Sequence, residues 1–298
     1  MGICDGRVVI VTGGGRGLGR AHCLAFAAEG AKVVVNDLGA SLQGDTTDES
    51  PGAEVVAEIE AAGGEAVVNG DDVSDWEGAG RLVEQAVDAF GGLDTVVCNA
   101  GIVRDRMMVN MSVDEWDAVI RVHLRGLFCP VRHAIGYWRD QHKAGTPRDA
   151  RLVTTTSGAG LRGSIAQANY VAAKAGIAAF TLNAAAELGR YGILANTIAP
   201  SARSRMTEDA FPEMMARPEE GFDAMDPANV SPFVAYLATA DCPIHGRVFF
   251  VAGGGIHLFQ PFAIIDSITK DGKWTVEELA TQAARLADVP FSLGQPAL

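Results

Sequence analysis

The stretch that decides the fold is Thr12-Gly-Gly-Gly-Arg-Gly-Leu-Gly19, a turn that contains five glycines. It follows Arg7–Thr12 (RVVIVT), a run typical of a buried strand, and it precedes Arg20–Glu29, a helical pattern closed by Gly30. Glycines at such a turn let the backbone approach a pyrophosphate, whose charge is stabilised by the free N–H groups of the helix N-terminus. The alternative is an ordinary tight turn, and the strand-turn-helix context favours the dinucleotide site.

Beyond this turn, short apolar runs alternate with helical patterns, which is typical of parallel βαβ units. Further strands are predicted at Lys32–Asn36, Ala66–Asn69, Asp94–Cys98, Arg151–Thr155, Leu194–Ile198 and Val248–Val251. Helices are predicted at Ala53–Ala62, Trp76–Phe90, Val113–Phe128 with a continuation to about His142, Ala168–Arg190 and Pro227–Thr239. The sequence therefore predicts an α/β fold with a doubly wound parallel sheet of about seven strands.

The chain is predicted to form one domain with a terminal addition. No linker or repeat divides residues 1–258, so we expect a single catalytic domain there. Residues 259–298 are expected to form a C-terminal extension, which includes a predicted helix at Thr275–Ala287. With 48% hydrophobic and only 20% charged residues, the chain can bury a large core.

Composition and charge argue against several classes of protein. The net charge of −13 disfavours a nucleic-acid-binding surface, because such surfaces are basic. The five cysteines are odd in number and widely spaced, which argues against a disulfide framework and against a metal site. The apolar runs are only as long as strands, and no signal-peptide pattern precedes the first turn. We therefore expect no membrane segment and a cytoplasmic location.

Asp37 ends the second predicted strand, 18 residues after Gly19. A carboxylate there accepts hydrogen bonds from the adenosine ribose hydroxyls and repels a 2′-phosphate. The loop that follows adds three further carboxylates, at Asp45, Asp48 and Glu49. Arg16, inside the turn, is either a contact for a 2′-phosphate or a solvated loop arginine. We expect the carboxylate to outweigh it, so the predicted cofactor is NAD rather than NADP.

Three side chains further along the chain are suited to alcohol oxidation. Tyr170 and Lys174 are one helical turn apart, so they project from the same face of the long predicted helix. A nearby ammonium group favours the phenolate of a tyrosine, whose free pKa of about 10 is too high for a base at neutral pH. Ser157, which follows a strand end, can hydrogen-bond the substrate oxygen. By composition alone, the alternatives are core packing for Tyr170, a solvated charge for Lys174 and ordinary turn chemistry for Ser157.

Four elements, in this order and spacing, resemble the short-chain dehydrogenase/reductase family in its single-domain form. They are the glycine-rich turn, Asp72-Val73, Asn99-Ala-Gly101, and Tyr170-x-x-x-Lys174 with Ser157 thirteen residues upstream of the tyrosine. The resemblance implies a Rossmann-like fold, NAD-dependent interconversion of a secondary alcohol and a ketone, and catalysis by Ser157, Tyr170 and Lys174. It also implies that the cofactor contacts are Gly13, Arg16, Gly17, Leu18, Gly19, Asp37, Asp72, Val73, Asn99, Ala100, Gly101, Tyr170, Lys174, Pro200, Ser204 and Thr207.

One position departs from the family at large. His123 stands where the family has an asparagine that supports a water-linked proton relay from the lysine. An imidazole can also accept and donate hydrogen bonds, so His123 is either a fourth catalytic residue in this relay or a packed helix histidine. The surrounding string Arg121-Val-His-Leu-Arg-Gly126, together with Ala166-Gln-Ala-Asn-Tyr170, is similar to the dehydrogenase part of multifunctional enzyme type 2 and to its bacterial relatives.

That subgroup implies a (3R)-hydroxyacyl-CoA or a hydroxysteroid as the small-molecule substrate. The segment Ser201–Asp226 offers apolar side chains that either cover an acyl chain or fused rings or pack on the sheet: Met206, Phe211, Met214, Met215, Phe222 and Met225. Four arginines flank the same expected cleft and either meet CoA phosphates or are solvated: Arg104, Arg106, Arg203 and Arg205.

The sequence leaves two other functions open, and the resemblance also predicts an oligomeric state. The alternatives are a carbonyl reductase for an unrelated substrate and a non-catalytic cofactor-binding protein of the same fold. The intact Ser157, Tyr170 and Lys174 argue against the non-catalytic one. The resemblance further implies a homodimer, with a tetramer as the alternative, formed through the helices around Val113–His142 and Ala168–Arg190.

Overall fold

A computed structural model describes residues 2–40, 50–203, 215–260, 262 and 264–288. Its centre is an eight-stranded sheet with the strand order β3-β2-β1-β4-β5-β6-β7-β8. In chain order the strands are Val8–Thr12, Lys32–Asn36, Glu65–Asn69, Thr95–Cys98, Arg151–Thr155, Leu194–Ser201, Val248–Ala252 and Gly255–Phe259. β1 to β7 pair in parallel, and β8 pairs antiparallel with β7. The predicted doubly wound parallel sheet is confirmed.

The helices cover both faces of the sheet. Helices α1 to α9 span Gly17–Ala28, Pro51–Ala61, Trp76–Phe90, Val113–Ile120, Gly126–Lys143, Gly158–Arg162, Ala168–Leu188, Ser231–Leu237 and Val276–Gln282. Successive strand residues point to opposite faces, so Val9 packs with α1, α2 and α8, whereas Ile10 packs with α3, α5 and α7. Within the described residues, no helix is both long and apolar enough to cross a bilayer.

Helix ends follow from local sequence. Asp75 caps α3, because its carboxylate accepts a hydrogen bond from the N–H of Gly78 at 2.7 Å. The same helix ends at Gly91, whose φ of +79° lies in the left-handed region. Ser112 and Glu115 form a capping box at the start of α4. These signals account for the agreement of α3 with its predicted bounds.

The predicted helix from Val113 to about His142 is interrupted, which the periodicity did not indicate. A π turn at Arg121–Arg125 separates α4 from α5. Such a turn adds one residue, which shifts the following side chains by about 100° around the axis. As a result, Val119 packs against Ala173, whereas Leu127 packs in the core beside the sheet.

β8 is the eighth strand that the sequence analysis did not predict. It follows a tight turn at Gly253, where φ is +52°, and it ends at Phe259, one residue beyond the predicted domain boundary. Its side chains Ile256 and Leu258 are exposed, so the strand lacks the buried apolar run that identified the others. In the extension, α9 lies inside the predicted helix Thr275–Ala287. The division into domain and extension stays a prediction.

The order of the strands determines where a ligand can bind. β1 and β4 are neighbours, while β2 and β3 continue from β1 in the opposite direction. In doubly wound sheets this switch opens a crevice outside the carboxyl ends of the strands. The glycine-rich turn after β1, Asn99 after β4 and Ser157 after β5 all lie at this edge.

Candidate active site

The glycine-rich turn joins the carboxyl end of β1 to α1. Gly13 and Gly17 have φ values of +63° and +51°, which favour glycine. A β-carbon on Gly19 would lie 1.9 Å from the carbonyl oxygen of Gly13, so a side chain there would break the turn. Arg16 holds the N-cap position of α1 without a side-chain capping bond, and Leu18 packs at the edge of the core. The turn therefore presents the N-terminal N–H groups of α1 toward the crevice.

Asp37 lies beside this turn, at the end of β2. Its carboxylate accepts hydrogen bonds from the N–H of Gly15 at 2.9 Å and from the N–H of Gly39 at 2.8 Å. A β-carbon on Gly15 would lie 2.8 Å from Oδ2 of Asp37, so the glycine allows the carboxylate to close on the turn. The rest of the predicted acidic loop, with Asp45, Asp48 and Glu49, lies outside the described residues.

Asp72 and Val73 form the next wall of the crevice. The carboxylate of Asp72 accepts hydrogen bonds from the backbone and the hydroxyl of Ser74, at 2.8 and 2.7 Å, and forms an ion pair with Arg121. Burial alone would raise the pKa of Asp72, but Ser74 and Arg121 outweigh it and hold this pKa below its usual range. Val73 is buried, and a β-carbon on Gly126 would lie 2.9 Å from it.

Asn99, Ala100 and Gly101 link the end of β4 to the glycine-rich turn. The side-chain amide of Asn99 donates to the carbonyl oxygens of Thr12 and Gly13, at 3.2 and 3.1 Å. In return, the Thr12 hydroxyl oxygen accepts the N–H groups of Asn99 and Ala100, at 3.0 and 3.1 Å. A β-carbon on Gly101 would lie 2.4 Å from the imidazole of His123, so glycine is needed where the chain passes that ring.

The structure brings Ser157, Tyr170 and Lys174 together at the carboxyl end of β5. Ser157 caps α6, where its hydroxyl oxygen accepts the N–H of Ala159 at 3.2 Å. Tyr170 and Lys174 are one turn apart on α7, and Nζ of Lys174 lies 5.5 Å from the centre of the Tyr170 ring. The Ser157 hydroxyl is also near enough to Tyr170 to lower the pKa of the tyrosine. The three predicted catalytic residues therefore share one site.

The electrostatics of the pair differ from the sequence-based expectation. Burial raises the pKa of Tyr170 above its ordinary 10.0; the Ser157 hydroxyl opposes this rise, and the charge of Asp105 adds to it. Burial also lowers the pKa of Lys174 from 10.5 to about 7. The expectation that Lys174 lowers the pKa of Tyr170 is not met by the protein's own groups, because the same burial disfavours the charge on the lysine.

Two threonines at the end of β5 fix the position of Lys174. Nζ of Lys174 donates a hydrogen bond to the carbonyl oxygen of Thr155 at 2.7 Å. The Thr156 hydroxyl donates to the carbonyl oxygen of Lys174 at 2.6 Å. A β-carbon on Gly160 would lie 2.5 Å from the β-carbon of Lys174, so α6 packs directly on α7 at this point. The backbone acceptor on Thr155 carries no sequence signal, because any residue supplies a carbonyl oxygen.

His123 lies in the π turn, behind Tyr170. It is 2% exposed, and its ring meets the Tyr170 ring edge-on, with the ring centres 5.3 Å apart. Nε2 of His123 lies 2.8 Å from the carbonyl oxygen and 3.2 Å from the amide nitrogen of Ile102. Burial, assisted by the charge of Lys174, lowers the pKa of His123 to about 3, so the ring is neutral at neutral pH. These contacts are those of a packed histidine, and the relay role stays a prediction.

Asn169 is a site residue that the sequence analysis did not identify. It is fully buried beside Tyr170, and its Oδ1 accepts the N–H of Tyr170 at 2.8 Å. Its amide donates to the carbonyl oxygens of Arg104 and Glu115, both at 3.0 Å. Asn169 therefore ties the loop after β4 and helix α4 to the first turn of α7. The sequence signal that could have identified Asn169 is its position in the first turn of a long helix, directly before Tyr170.

Arg203 fits neither alternative left open by the sequence, contact with CoA phosphates or exposure to solvent. This residue is only 6% exposed, and its guanidinium donates to both carboxylate oxygens of Asp223, at 2.8 and 2.9 Å. Its Nε also donates to the carbonyl oxygen of Met215 at 2.5 Å. A buried and fully engaged arginine is not available to a substrate phosphate. Arg106 is also engaged, by Glu115 at 2.9 Å.

Several predicted residues lie outside the described part of the chain. These are Ser204, Arg205, Met206, Thr207, Phe211 and Met214. Of the remaining apolar side chains in that segment, Met215 is buried, Met225 is partly buried and Phe222 is 66% exposed. Pro200 is partly buried within β6. A cover over the crevice by this segment stays a prediction.

The described residues fit a dinucleotide. Among them, no atom outside the adjoining residues and the backbone of α1 lies within 4 Å of the place where a β-carbon on Gly17 would project, so the backbone there is open to a phosphate. Asp37 is fixed on one side of this opening and the Ser157, Tyr170 and Lys174 group on the other. The glycine-rich turn thus corresponds to the pyrophosphate of such a ligand. Asp37 corresponds to its adenosine ribose, and Tyr170 and Lys174 correspond to its nicotinamide end.

Comparisons with known proteins agree with this geometry. The model of the short chain dehydrogenase family matches residues 7–214. Hydroxyacyl-CoA dehydrogenase ChsB1 of Mycobacterium tuberculosis is 46% identical over 280 residues, covering 92% of this chain and 86% of that protein. Peroxisomal multifunctional enzyme type 2 of Mus musculus is 44% identical over 252 residues, covering 85% of this chain and 32% of that protein.

The solved structures give the same result. A short chain dehydrogenase from Mycobacterium avium matches with a TM-score of 0.85 and 52% identity, and the match covers 96% of each chain. The resemblance inferred from the motifs, including the similarity to the dehydrogenase part of multifunctional enzyme type 2, is confirmed. This chain belongs to the short-chain dehydrogenase family and is an oxidoreductase.

Proposed function

We propose that this protein is an NAD-dependent dehydrogenase that oxidises the 3-hydroxyl group of a (3R)-hydroxyacyl-CoA to a ketone. The observation that carries the proposal is the meeting of Ser157, Tyr170 and Lys174 at the same sheet edge as the glycine-rich turn. The choice of an acyl thioester is supported by the relative named hydroxyacyl-CoA dehydrogenase, which is 46% identical over nearly the whole chain.

The protein's residues divide the chemistry between them. Ser157 donates a hydrogen bond to the substrate oxygen, and the phenolate form of Tyr170 accepts the hydroxyl proton as the substrate is oxidised. When bound, NAD supplies the hydride acceptor. Lys174 donates one N–H to the Thr155 carbonyl, and its protonated form has two more donors for the nicotinamide ribose. Because burial keeps the Tyr170 proton bound at neutral pH, the same residue serves as the acid in the reverse reaction.

The proposed preference for NAD rests on Asp37. Two backbone N–H groups fix its carboxylate beside the turn, so it cannot easily move away from a 2′-phosphate. The remaining lone pairs of the carboxylate are suited to the two ribose hydroxyls of NAD. Arg16, within the turn, is the one group that favours NADP. Its charge does not cancel both the repulsion between Asp37 and a 2′-phosphate and the hydrogen bond that Asp37 loses when the 2′-hydroxyl is phosphorylated.

We expect kcat/KM to be at least about tenfold higher with NAD than with NADP, because hydrogen bonds to charged groups contribute about 1.5–3 kcal/mol. Asp37→Asn keeps the shape of the side chain and removes its charge, so it should lower the ratio of kcat/KM with NAD to kcat/KM with NADP. Asp37→Ala should lower this ratio further. Asp88→Ala, on the exposed face of α3, is the control and should leave the ratio unchanged. Equal efficiencies with the two cofactors in the wild type would contradict the prediction.

The proposed substrate is tested by a direct comparison of three alcohols with NAD. These are a (3R)-hydroxyacyl-CoA, a 17β-hydroxysteroid and a short secondary alcohol, with the (3S)-hydroxyacyl-CoA as the matched control. We expect the (3R) thioester to exceed the short alcohol in kcat/KM by more than about tenfold, since each buried methylene contributes about 1–3 kcal/mol. A higher value for the steroid would reassign the substrate. Equal values for all compounds would remove the proposal of a large apolar substrate.

The assembly and location remain proposals. We propose a homodimer through α5 and α7, with a tetramer as the alternative. It is supported by the exposed aromatic side chains of Phe128 on α5 and Trp76 at the start of α3, which are 46% and 38% exposed and stack on each other. Exposed aromatic surface of this kind is enriched at protein interfaces. A cytoplasmic location is proposed from the sequence pattern alone.

A further inference from the structure

Arg162 is the last residue of α6, the short helix that begins directly after Ser157. Its guanidinium lies over the ring of Phe250 in β7, 5.6 Å from the ring centre. A β-carbon on Gly158 would lie 2.7 Å from Nη2 of Arg162 and 3.7 Å from the Phe250 ring. The guanidinium therefore lies against an aromatic ring and beside the backbone of Gly158, the residue next to Ser157.

The charge of Arg162 is not neutralised by the described part of the chain. No carboxylate or carbonyl among the described residues accepts a hydrogen bond from it, in contrast to Arg203 and Arg106. The ring of Phe250, on which it stacks, is also in contact with the ring of His257 in β8, with the ring centres 6.0 Å apart. Stacking occupies the face of a guanidinium and leaves its N–H groups, which lie in the plane, for an acceptor.

We propose that Arg162 donates a hydrogen bond to the C1 thioester carbonyl of the substrate and so selects 3-hydroxyacyl compounds over simple alcohols. This assignment rests on the proposed function. In such a substrate, C1 is two carbons from C3, whose oxygen is proposed to lie at Ser157 and Tyr170. The guanidinium of Arg162 lies beside Gly158, the residue that follows Ser157, and is therefore the donor proposed for the C1 carbonyl. The phosphates of CoA lie beyond the whole pantetheine arm, too far from C3 to meet the same guanidinium.

A second anchored oxygen has a consequence for stereochemistry. With only the C3 oxygen held, the substrate can rotate about that oxygen and present either face of C3. When Arg162 also holds the C1 oxygen, the position of C2 is fixed, and the alkyl chain at C4 must point in one direction. Arg162 is therefore a specificity-determining residue, and its loss should reduce the discrimination between the (3R) and (3S) substrates.

The test compares substrates that differ by one group at a time. Arg162→Met keeps apolar contact with Phe250 and removes all N–H donors, while Arg162→Lys keeps the charge and loses the planar fork. The substrates are a (3R)-hydroxyacyl-CoA, the same acyl group on N-acetylcysteamine, which has no phosphates, and a secondary alcohol of equal chain length without the C1 carbonyl. Both enantiomers of the CoA thioester are measured.

We expect Arg162→Met to lower kcat/KM by about 10- to 100-fold for both thioesters, mainly through KM, since a hydrogen bond to a charged group contributes that much. The alcohol without the carbonyl should change by less than about threefold, because it makes no contact with Arg162. The ratio of (3R) to (3S) efficiency should fall. Arg162→Lys should be intermediate on the thioesters. Arg190→Met is the matched control, because Arg190 is exposed and stacks on Tyr191 at the far end of α7, 4.8 Å from the ring centre.

The other outcomes are distinguishable. A loss confined to the CoA thioester would assign Arg162 to the phosphates, and an equal loss on the alcohol would indicate a structural role; either overturns the inference. Unchanged thioester kinetics in Arg162→Met, with an active wild type, would overturn this inference alone. A wild type that oxidises neither thioester would overturn the proposed function and this assignment with it. Thermal melting of each variant establishes that the fold is intact.

Discussion

Tyr170→Phe is expected to lower kcat by more than about a hundredfold, because general acid–base groups contribute about 10²- to 10⁴-fold. The substitution removes one hydroxyl and almost no volume, so the packing of Tyr170 against His123 should persist. The affinity for NAD, measured by fluorescence titration, should change little. Loss of turnover with retained cofactor binding would identify the hydroxyl as the proton-transfer group.

The pH profile gives a second measure of the same residue. Burial raises the pKa of Tyr170, so the phenolate becomes more abundant as the pH rises through the alkaline range. We therefore expect oxidation by the wild type to accelerate with pH and the reverse reaction to slow. Tyr191→Phe, which removes a hydroxyl at the other end of α7, is the control. A Tyr170→Phe enzyme that kept more than about a tenth of the wild-type rate would exclude this tyrosine as the essential acid and base.

Lys174→Met should combine a large loss of activity with a more stable fold. Burial lowers the pKa of Lys174 from 10.5 to about 7, so the charged form is disfavoured in the folded protein by several kcal/mol. Methionine fills a similar volume without a charge. Its cost is the lost hydrogen bond to the Thr155 carbonyl, which is worth about 1 kcal/mol. We expect a melting temperature higher by roughly 5–10 °C, since the net gain is several kcal/mol and each kcal/mol shifts a protein of this size by about 2–4 °C.

The activity and the pH dependence of the same variant complete the prediction. Turnover should fall by more than about a hundredfold and NAD affinity should also fall, because this lysine holds the nicotinamide ribose in position beside Tyr170 in the proposed mechanism. The unfolded lysine keeps its proton up to about pH 10.5, whereas the folded one releases it near pH 7. Unfolded chains therefore bind more protons between these values, and wild-type stability should gain from this group as the pH rises.

Lys174→Met should lack that gain in stability between pH 7 and pH 10.5. Lys143→Met, on the exposed last turn of α5, is the control and should alter neither activity nor the pH dependence. A lower melting temperature for Lys174→Met at pH 7 would show that the buried amine stabilises the fold and that burial does not penalise its charge.

The sequence predicted the framework well, because its periodic signals are local. β2, α3 and β5 begin and end at the predicted residues, and caps such as Asp75 and Gly91 explain this agreement. The convergence of Ser157, Tyr170 and Lys174 was also predictable, since a helical turn and a strand end fix their relative positions. β8 was missed because its side chains are exposed, and only its pairing with β7 makes it a strand.

The parts that the sequence could not reveal depend on burial and on backbone contacts. Nothing in the sequence distinguishes Arg203 from the other arginines near the expected cleft. Only the fold shows that it donates hydrogen bonds to Asp223 and to the Met215 carbonyl. The pKa of Tyr170 rises because of how deeply α7 is buried, which no spacing of residues records. Asn169 acts by joining three separate segments, so its role depends on tertiary structure.

The π turn at Arg121–Arg125 bears on how such a site can change during evolution. It divides one helical rod into α4, which packs beside Tyr170 and Ala173 of α7, and α5, which packs in the core beside the sheet. Because the π turn rotates the side chains of α5 around the helix axis relative to those of α4, a new side chain at Val119 does not require a compensating change at Leu127 or Val131. The packing around Tyr170 can therefore diversify among descendants of this protein while the layer beside the sheet is inherited unchanged.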